Sequence, residues 1–135
     1  MSLHTELTVD ISVYGETTKA TCKFNQDFSD FILDTLVKES SARIALAAQA
    51  SDIAFGMNGI TNGQLILLKS DDEFTVKING TGETALTLKP QTNSSTSIVT
   101  PAFLAMLADG ITSLHFANPS TTAAIEIDVG IAGDA

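Results

Sequence analysis

The side chains with the widest chemical reach in this chain are two histidines, one cysteine and 16 carboxylates, and spacing decides what they can do. His4 and His115 stand alone, without a Cys, Asp or Glu at the separation by which H-E-x-x-H puts two ring nitrogens on one helical face. No metal centre is expected from them. His115 falls between Leu114 and Phe116 in a strand-like run, so it either faces outward or is a hydrogen-bonded, half-buried ring. Cys22 has no second thiol, which excludes an intramolecular disulfide framework and a cysteine zinc site. It reads as a small buried or half-buried thiol. A G-x-S-x-G elbow is absent, and a Cys22–His pair needs a proximity that sequence does not supply. No catalytic residue is assigned.

Two carboxylate clusters remain to be tested against acid and metal chemistry. Asp71-Asp72-Glu73 lacks the D-x-[DN]-x-[DN]-G spacing that wraps calcium and lies between two strand-like runs. A solvated hairpin tip is expected there. Glu126 and Asp128 alternate with Ile125, Ile127 and Val129, so both carboxylates project from the face of a strand opposite to the core. Such like charges guard a sheet edge against aggregation, with an acid/base pair as the second reading. The glycines form neither G-x-G-x-x-G nor a phosphate loop, so no nucleotide or other cofactor site is expected. Asn79-Gly80-Thr81 and Asn93-Ser94-Ser95 match the N-x-[ST] sequon, here read as chance in a Ser/Thr-rich chain. With no Trp and one Tyr, a glycan-binding surface built on stacked rings is disfavoured but not excluded.

These residues must be positioned by elements, and the elements are legible mostly as strands. Leu7, Val9, Ile11 and Val13 alternate with polar residues from Leu7 to Tyr14; Gly15-Glu16 supplies a turn; Ala20, Cys22 and Phe24 alternate across Thr18 to Asn25. This predicts a hairpin. Between Asp27 and Glu39 the apolar residues Phe28, Phe31, Ile32, Leu36 and Val37 recur at three- and four-residue steps, predicting an amphipathic helix capped by Ser29 or Asp27, with a strand as the alternative. Arg43 to Ala50 is read as strand, although its alanines favour helix.

After Asp52, strand-like runs cover Ile53–Phe55, Gln64–Ser70, Phe74–Asn79, Ala85–Lys89, Ile111–Ala117 and Ala123–Ile131. Turn chemistry at Asn58-Gly59, Asn62-Gly63, Asp71-Asp72, Asn79-Gly80, Asp109-Gly110 and Asn118-Pro119 separates them. Gln91–Thr96 reads as a loop, and Pro101–Leu107 as a short helical turn or a strand. Short strands punctuated in this way predict an all-β fold: a single antiparallel, jelly-roll-like β-sandwich with at most one or two short helices. One domain is expected over 1–135, with the sandwich core in 52–133 and a hairpin plus helix, or an arm, in 1–50.

Composition bounds the partners. The chain has 135 residues, enough for one domain, with 44% hydrophobic and 17% charged residues, so it has ample apolar material to fold. Seven Lys+Arg against 16 Asp+Glu give a net charge of −9, which offers nucleic-acid phosphates no general grip. Apolar runs such as Ile44–Ala50 are far shorter than the roughly 20 residues of a membrane helix. The N-terminus lacks the basic start and apolar run of a signal peptide. Neither nucleic acid nor membrane is expected as a partner.

The order of segments in the second half is distinctive: Asp52-Ile53-Ala54-Phe55-Gly56, Ile60–Ser70, Phe74–Gly80, Leu86-Thr87-Leu88-Lys89-Pro90, Phe103–Leu107, Ile111–Ser120 and Ala124–Gly133. It resembles small β-sandwich structural proteins of tailed bacteriophage virions. The likeness covers roughly Asp52 to Gly133 and rests on structural motifs, so it transfers no site residue. It implies a non-enzymatic virion component made in the host cytoplasm. A capsid decoration or cement protein that binds the major capsid protein and itself, with a trimer favoured, is the first expectation. A tail, baseplate or fibre-adaptor module is the second, and a glycan-binding β-sandwich the third.

Overall fold

The computed structural model describes residues 6–13, 22–29 and 37–135. In chain order the strands are β1 (Glu6–Val13), β2 (Cys22–Ser29), β3 (Val37–Leu46), β4 (Ile53–Ala54), β5 (Asn62–Ser70), β6 (Phe74–Ile78), β7 (Leu86–Leu88), β8 (Gln91–Thr92), β9 (Val99–Thr100), β10 (Ala102–Ile111), β11 (Leu114–Ala117) and β12 (Ile125–Asp134). No helix occurs among the described residues. The fold is all-β, and β1 with β2, β5 with β10 and β12, β11 with β4 and β6, β6 with β7 and β8 with β9 all pair antiparallel.

The chain divides into two compact units between Val37 and Lys38. In the first, β1 and β2 pair with Val13 opposite Cys22 and Glu6 opposite Ser29. The two strands of the expected hairpin therefore pair, the second described from Cys22 and running on past the expected Asn25 to Ser29, while residues 18–21 of the expectation lie outside the described residues. The Gly15-Glu16 turn lies outside the described residues. The helix expected over Asp27–Glu39 is corrected at both described ends, because Asp27–Ser29 close β2 and Val37–Glu39 open β3. Asp27, Phe28 and Ser29 face Thr8, Leu7 and Glu6, and a cross-strand ladder takes the backbone groups that a helix would need. Residues 30–36, the middle of that expectation, lie outside the described residues.

The second unit is a β-sandwich. One sheet has the order β10-β5-β12-β3 and the other β4-β11-β6-β7, while β8 and β9 form a separate two-stranded arm. Period-2 sequence becomes period-2 burial: Ile125, Ile127, Val129 and Ile131 of β12 face the core, as do Ile66 and Leu68 of β5. The other sheet answers with Phe74, Val76, Leu114 and Phe116. Phe116 is the centre of this layer. Its ring stands edge-on to Phe55 at 6.4 Å and tilted against Phe74 at 6.2 Å, and each such buried ring contributes about 1.5–3 kcal/mol by area.

Turn chemistry was read correctly in some places and misplaced in others. Asn58 and Gly59 adopt φ of 53° and 80°, and the Ile60 N–H donates to the Met57 carbonyl at 3.0 Å, the mirror-image turn that favours Asn-Gly. Asn62-Gly63, by contrast, lies inside β5. Asp109-Gly110 lies inside β10, where the register against β5 shifts between Leu107 and Ile111. Gly110 there has φ of 80°, so the pair makes a bulge and not a chain reversal. Pro101–Leu107 resolves as strand from Ala102 onward, and Gln91–Thr92 of the expected loop pairs with β9. Asp71-Asp72 joins β5 to β6, which belong to different sheets. That segment is a corner of the sandwich, not a hairpin tip.

Candidate functional site

Three central registers lay out the solvent-facing side of the β10-β5-β12-β3 sheet as rows. Phe103, Lys69 and Asp128 form one row; Ala105, Leu67 and Gly130 the next; Leu107, Leu65 and Ala132 the third. Facing residues of an antiparallel pair share a side of the sheet, so this face is charged at one end and apolar at the other. Phe103 is 61% exposed, and Leu67 and Leu107 are also exposed. A strand such as β10 that is apolar on both faces would ordinarily be covered on both. Here one face lies open.

The charged end is built around Arg43 of β3. Its Nε and Nη2 donate to the two Asp128 carboxylate oxygens at 2.7 and 3.2 Å, and its Nη1 lies 3.7 Å from Glu126 Oε2. Hydrogen bonding to Arg43 holds the Asp128 carboxyl below its ordinary range, and the same bond to Asp128 raises the guanidinium. A carboxylate so held is a poor proton donor near neutrality. Glu126 and Asp128 do project away from the core, but β12 is a central strand. Their edge-guarding role is therefore corrected: with Arg43 they tie the edge strand β3 to β12. Arg43, Lys69, Asp71, Asp72, Glu126 and Asp128 border an open groove of about 430 Å³, in which Arg43 is engaged by Asp128 and Glu126.

The remaining candidates are dispersed. Asp71 and Asp72 are exposed, and Glu73 lies 3.5 Å from Lys89. Ser70 Oγ donates to the Glu126 carbonyl at 2.6 Å and accepts the Asp72 N–H, so the acidic corner is pinned by a serine. His115 is half-buried, opposite Lys77 and Ala54 in register, with an Nδ1 that is buried and without a partner. Among the described residues no three of His, Cys, Asp and Glu converge as metal ligands. Cys22 opens β2, and His4 lies outside the described residues. The amides of both sequons are engaged: Asn79 bonds to Gly110 and Thr112, and Asn93 accepts the Ser95 and Thr96 N–H groups.

Sequence reasoning missed the structural use of two asparagines, Asn62 and Asn79. Asn62 Oδ1 accepts the Gly110 N–H at 2.6 Å while its Nδ2 donates to Asp109. Asn79 donates to the Gly110 carbonyl and accepts the Thr112 N–H at 2.7 Å. Together they clamp the β10 bulge. The open apolar face was missed as well, although its signal is printed in the sequence: Phe103, Ala105 and Leu107 alternate with Leu104 and Met106, leaving no polar side. Comparison of the chain with protein-family profiles, curated proteins and solved structures finds no match.

Proposed function

We propose that the chain is a non-enzymatic structural component of a tailed-phage virion, a capsid decoration or cement protein that binds the major capsid lattice and copies of itself. The observation that carries this reading is the exposed apolar surface of a strongly acidic chain. Phe103, Leu107 and Leu67 lie on one sheet face, and Ile98 and Val99 project from the β8–β9 arm at 63% and 60% exposure. Exposed apolar area of this kind marks a surface that partners cover. The resemblance of segments 52–133 to virion β-sandwich proteins supplies the kind of partner.

The rigid sandwich presents these contacts on strands and on a hairpin arm, so little ordering entropy opposes docking. Lattice attachment requires shape and patch complementarity and no chemistry of bond making. The test is reassembly: virions stripped of, or genetically lacking, the protein are incubated with the purified chain and recovered by sedimentation. Saturable rebinding that Ile98→Asp weakens at least tenfold supports the reading. Failure of the wild-type chain to bind the particles refutes it.

A further inference from the structure

We infer that β10 is the edge at which a second copy of this chain docks, the two β10 strands pairing antiparallel about a twofold axis at Ala105 so that two four-stranded sheets become one of eight. This deepens the self-association in the proposed function and rests on it, but it concerns the isolated chain in solution.

The first ground is the contrast between edges. A free strand edge presents unpaired N–H and C=O groups, and folds blunt it by shortness or charge. β4 and β7 are two and three residues long. The other long edges are charged: β3 carries Lys38, Glu39 and Arg43, β1 carries Glu6 and Asp10, and β2 carries Lys23 and Asp27. β10 has ten residues and no charge before Asp109. In a chain of net charge −9, it is the long edge along which two copies approach with least repulsion.

The second ground is an unfinished core. Leu68 and Ile66 of β5 are fully buried, whereas their register partners Leu104 and Met106, which face the same interior, are only partly buried. A strand added beyond β10 would cover them.

The third ground is that the sequence of β10 matches itself in one register. With Ala105 on the axis, Phe103 faces the copy's Leu107, Leu104 faces its Met106, and Asp109 faces its Pro101. The two Asp109 carboxylates are then about 26 Å apart along the strands, beyond the Debye length of physiological salt. Moving the axis to Leu104 leaves Phe103 against Ala105; moving it to Met106 sets Phe103 against Asp109. The bulge between Leu107 and Ile111 ends regular pairing where this match ends.

The test uses the full chain in a Cys22→Ser background. Facing residues of an antiparallel pair have Cβ atoms about 4.5–5.5 Å apart, near disulfide reach, while Phe103 and its own copy would be about 13 Å apart along the strand. Under mild oxidation Ala105→Cys is expected to give a covalent dimer. Phe103→Cys and Leu107→Cys should each stay uncrosslinked alone and crosslink when mixed. Ala105→Lys, which sets two ammonium groups face to face, should weaken the dimer at least tenfold by sedimentation while leaving unchanged the circular dichroism and, at concentrations where both chains are monomeric, the urea midpoint. A chain monomeric at all concentrations without crosslinking, a trimer, or self-crosslinking of Phe103→Cys each overturns the inference. Because no capsid is present, such a failure leaves the rebinding result untouched, and rebinding by a strictly monomeric chain would separate the two readings.

Discussion

A primary amide can satisfy several backbone groups at once, and Asn118 does so at 2% exposure. Its Nδ2 donates toward the carbonyls of Leu46, Ala47 and Ala123 at 2.8–3.2 Å, and its Oδ1 accepts the Ser120 N–H. The end of β3, the approach to β12 and the turn after β11 are thereby fastened to one side chain. Asn118→Ala should cost about 3 kcal/mol in urea unfolding, since each buried polar group left unpaired costs about 1–3 kcal/mol. At the surface the expectation is different. Asp128 titrates below the ordinary carboxylate range because Arg43 hydrogen-bonds it. Its stabilising contribution is therefore complete above the unfolded-state pKa and is lost as pH falls through the lower folded-state value. Arg43→Ala should move the Asp128 carboxyl upward in an NMR titration, with little change in the urea midpoint at neutral pH because the pair is exposed.

At the scale of elements, β12 meets the start of β5 at a distance that leaves no room for a side chain on Gly133. A Cβ on Gly133 would collide with the backbone of Asn62 and Gly63, so only glycine lets Gly133 and Gly63 stand opposite one another. Gly133→Ala should lose about 3 kcal/mol by thermal or urea unfolding, at the upper end of overpacking costs. Gly82→Ala, where a Cβ meets nothing within 4 Å, should change stability by less than about 0.5 kcal/mol. The strands themselves were legible because half-buried sheets write their burial as alternation: β5, β6 and β12 fall within a few residues of Gln64–Ser70, Phe74–Asn79 and Ala123–Ile131. What failed was the meaning of Asn-Gly and Asp-Gly. These dipeptides state a local backbone preference, and whether the chain reverses at Asn58 or bulges at Asp109 depends on strands far away in sequence. At the described ends of Asp27–Glu39 the helical period misled for the same reason, since three-residue spacing carries no information about the β1 partner that claims Asp27–Ser29. The candidate face was hidden differently. Alternation assigns one side of β10 to the core but cannot say which of two apolar sides is left open; that follows from sheet order alone.

For the whole molecule, charge sets the terms of assembly. In the proposed role, copies carrying −9 each would repel when crowded on a lattice, and attachment would then come from apolar surface and backbone hydrogen bonds. Of the carboxylates expected to face solvent, Asp71, Asp72, Glu83 and Asp109 are exposed, whereas Glu73 is half-buried beside Lys89. Particle occupancy should therefore hold or rise between low and high salt in washed virions assayed by quantitative gel. Steep release at high salt together with gel-shift binding to DNA would instead indicate a phosphate-bound protein. The most direct measurement of the central claim is the copy number of the chain in purified virions, by quantitative mass spectrometry against the major capsid protein. The account predicts a fixed ratio set by the capsid lattice; absence from the particle, or a copy number set by a single tail or portal ring, would contradict it.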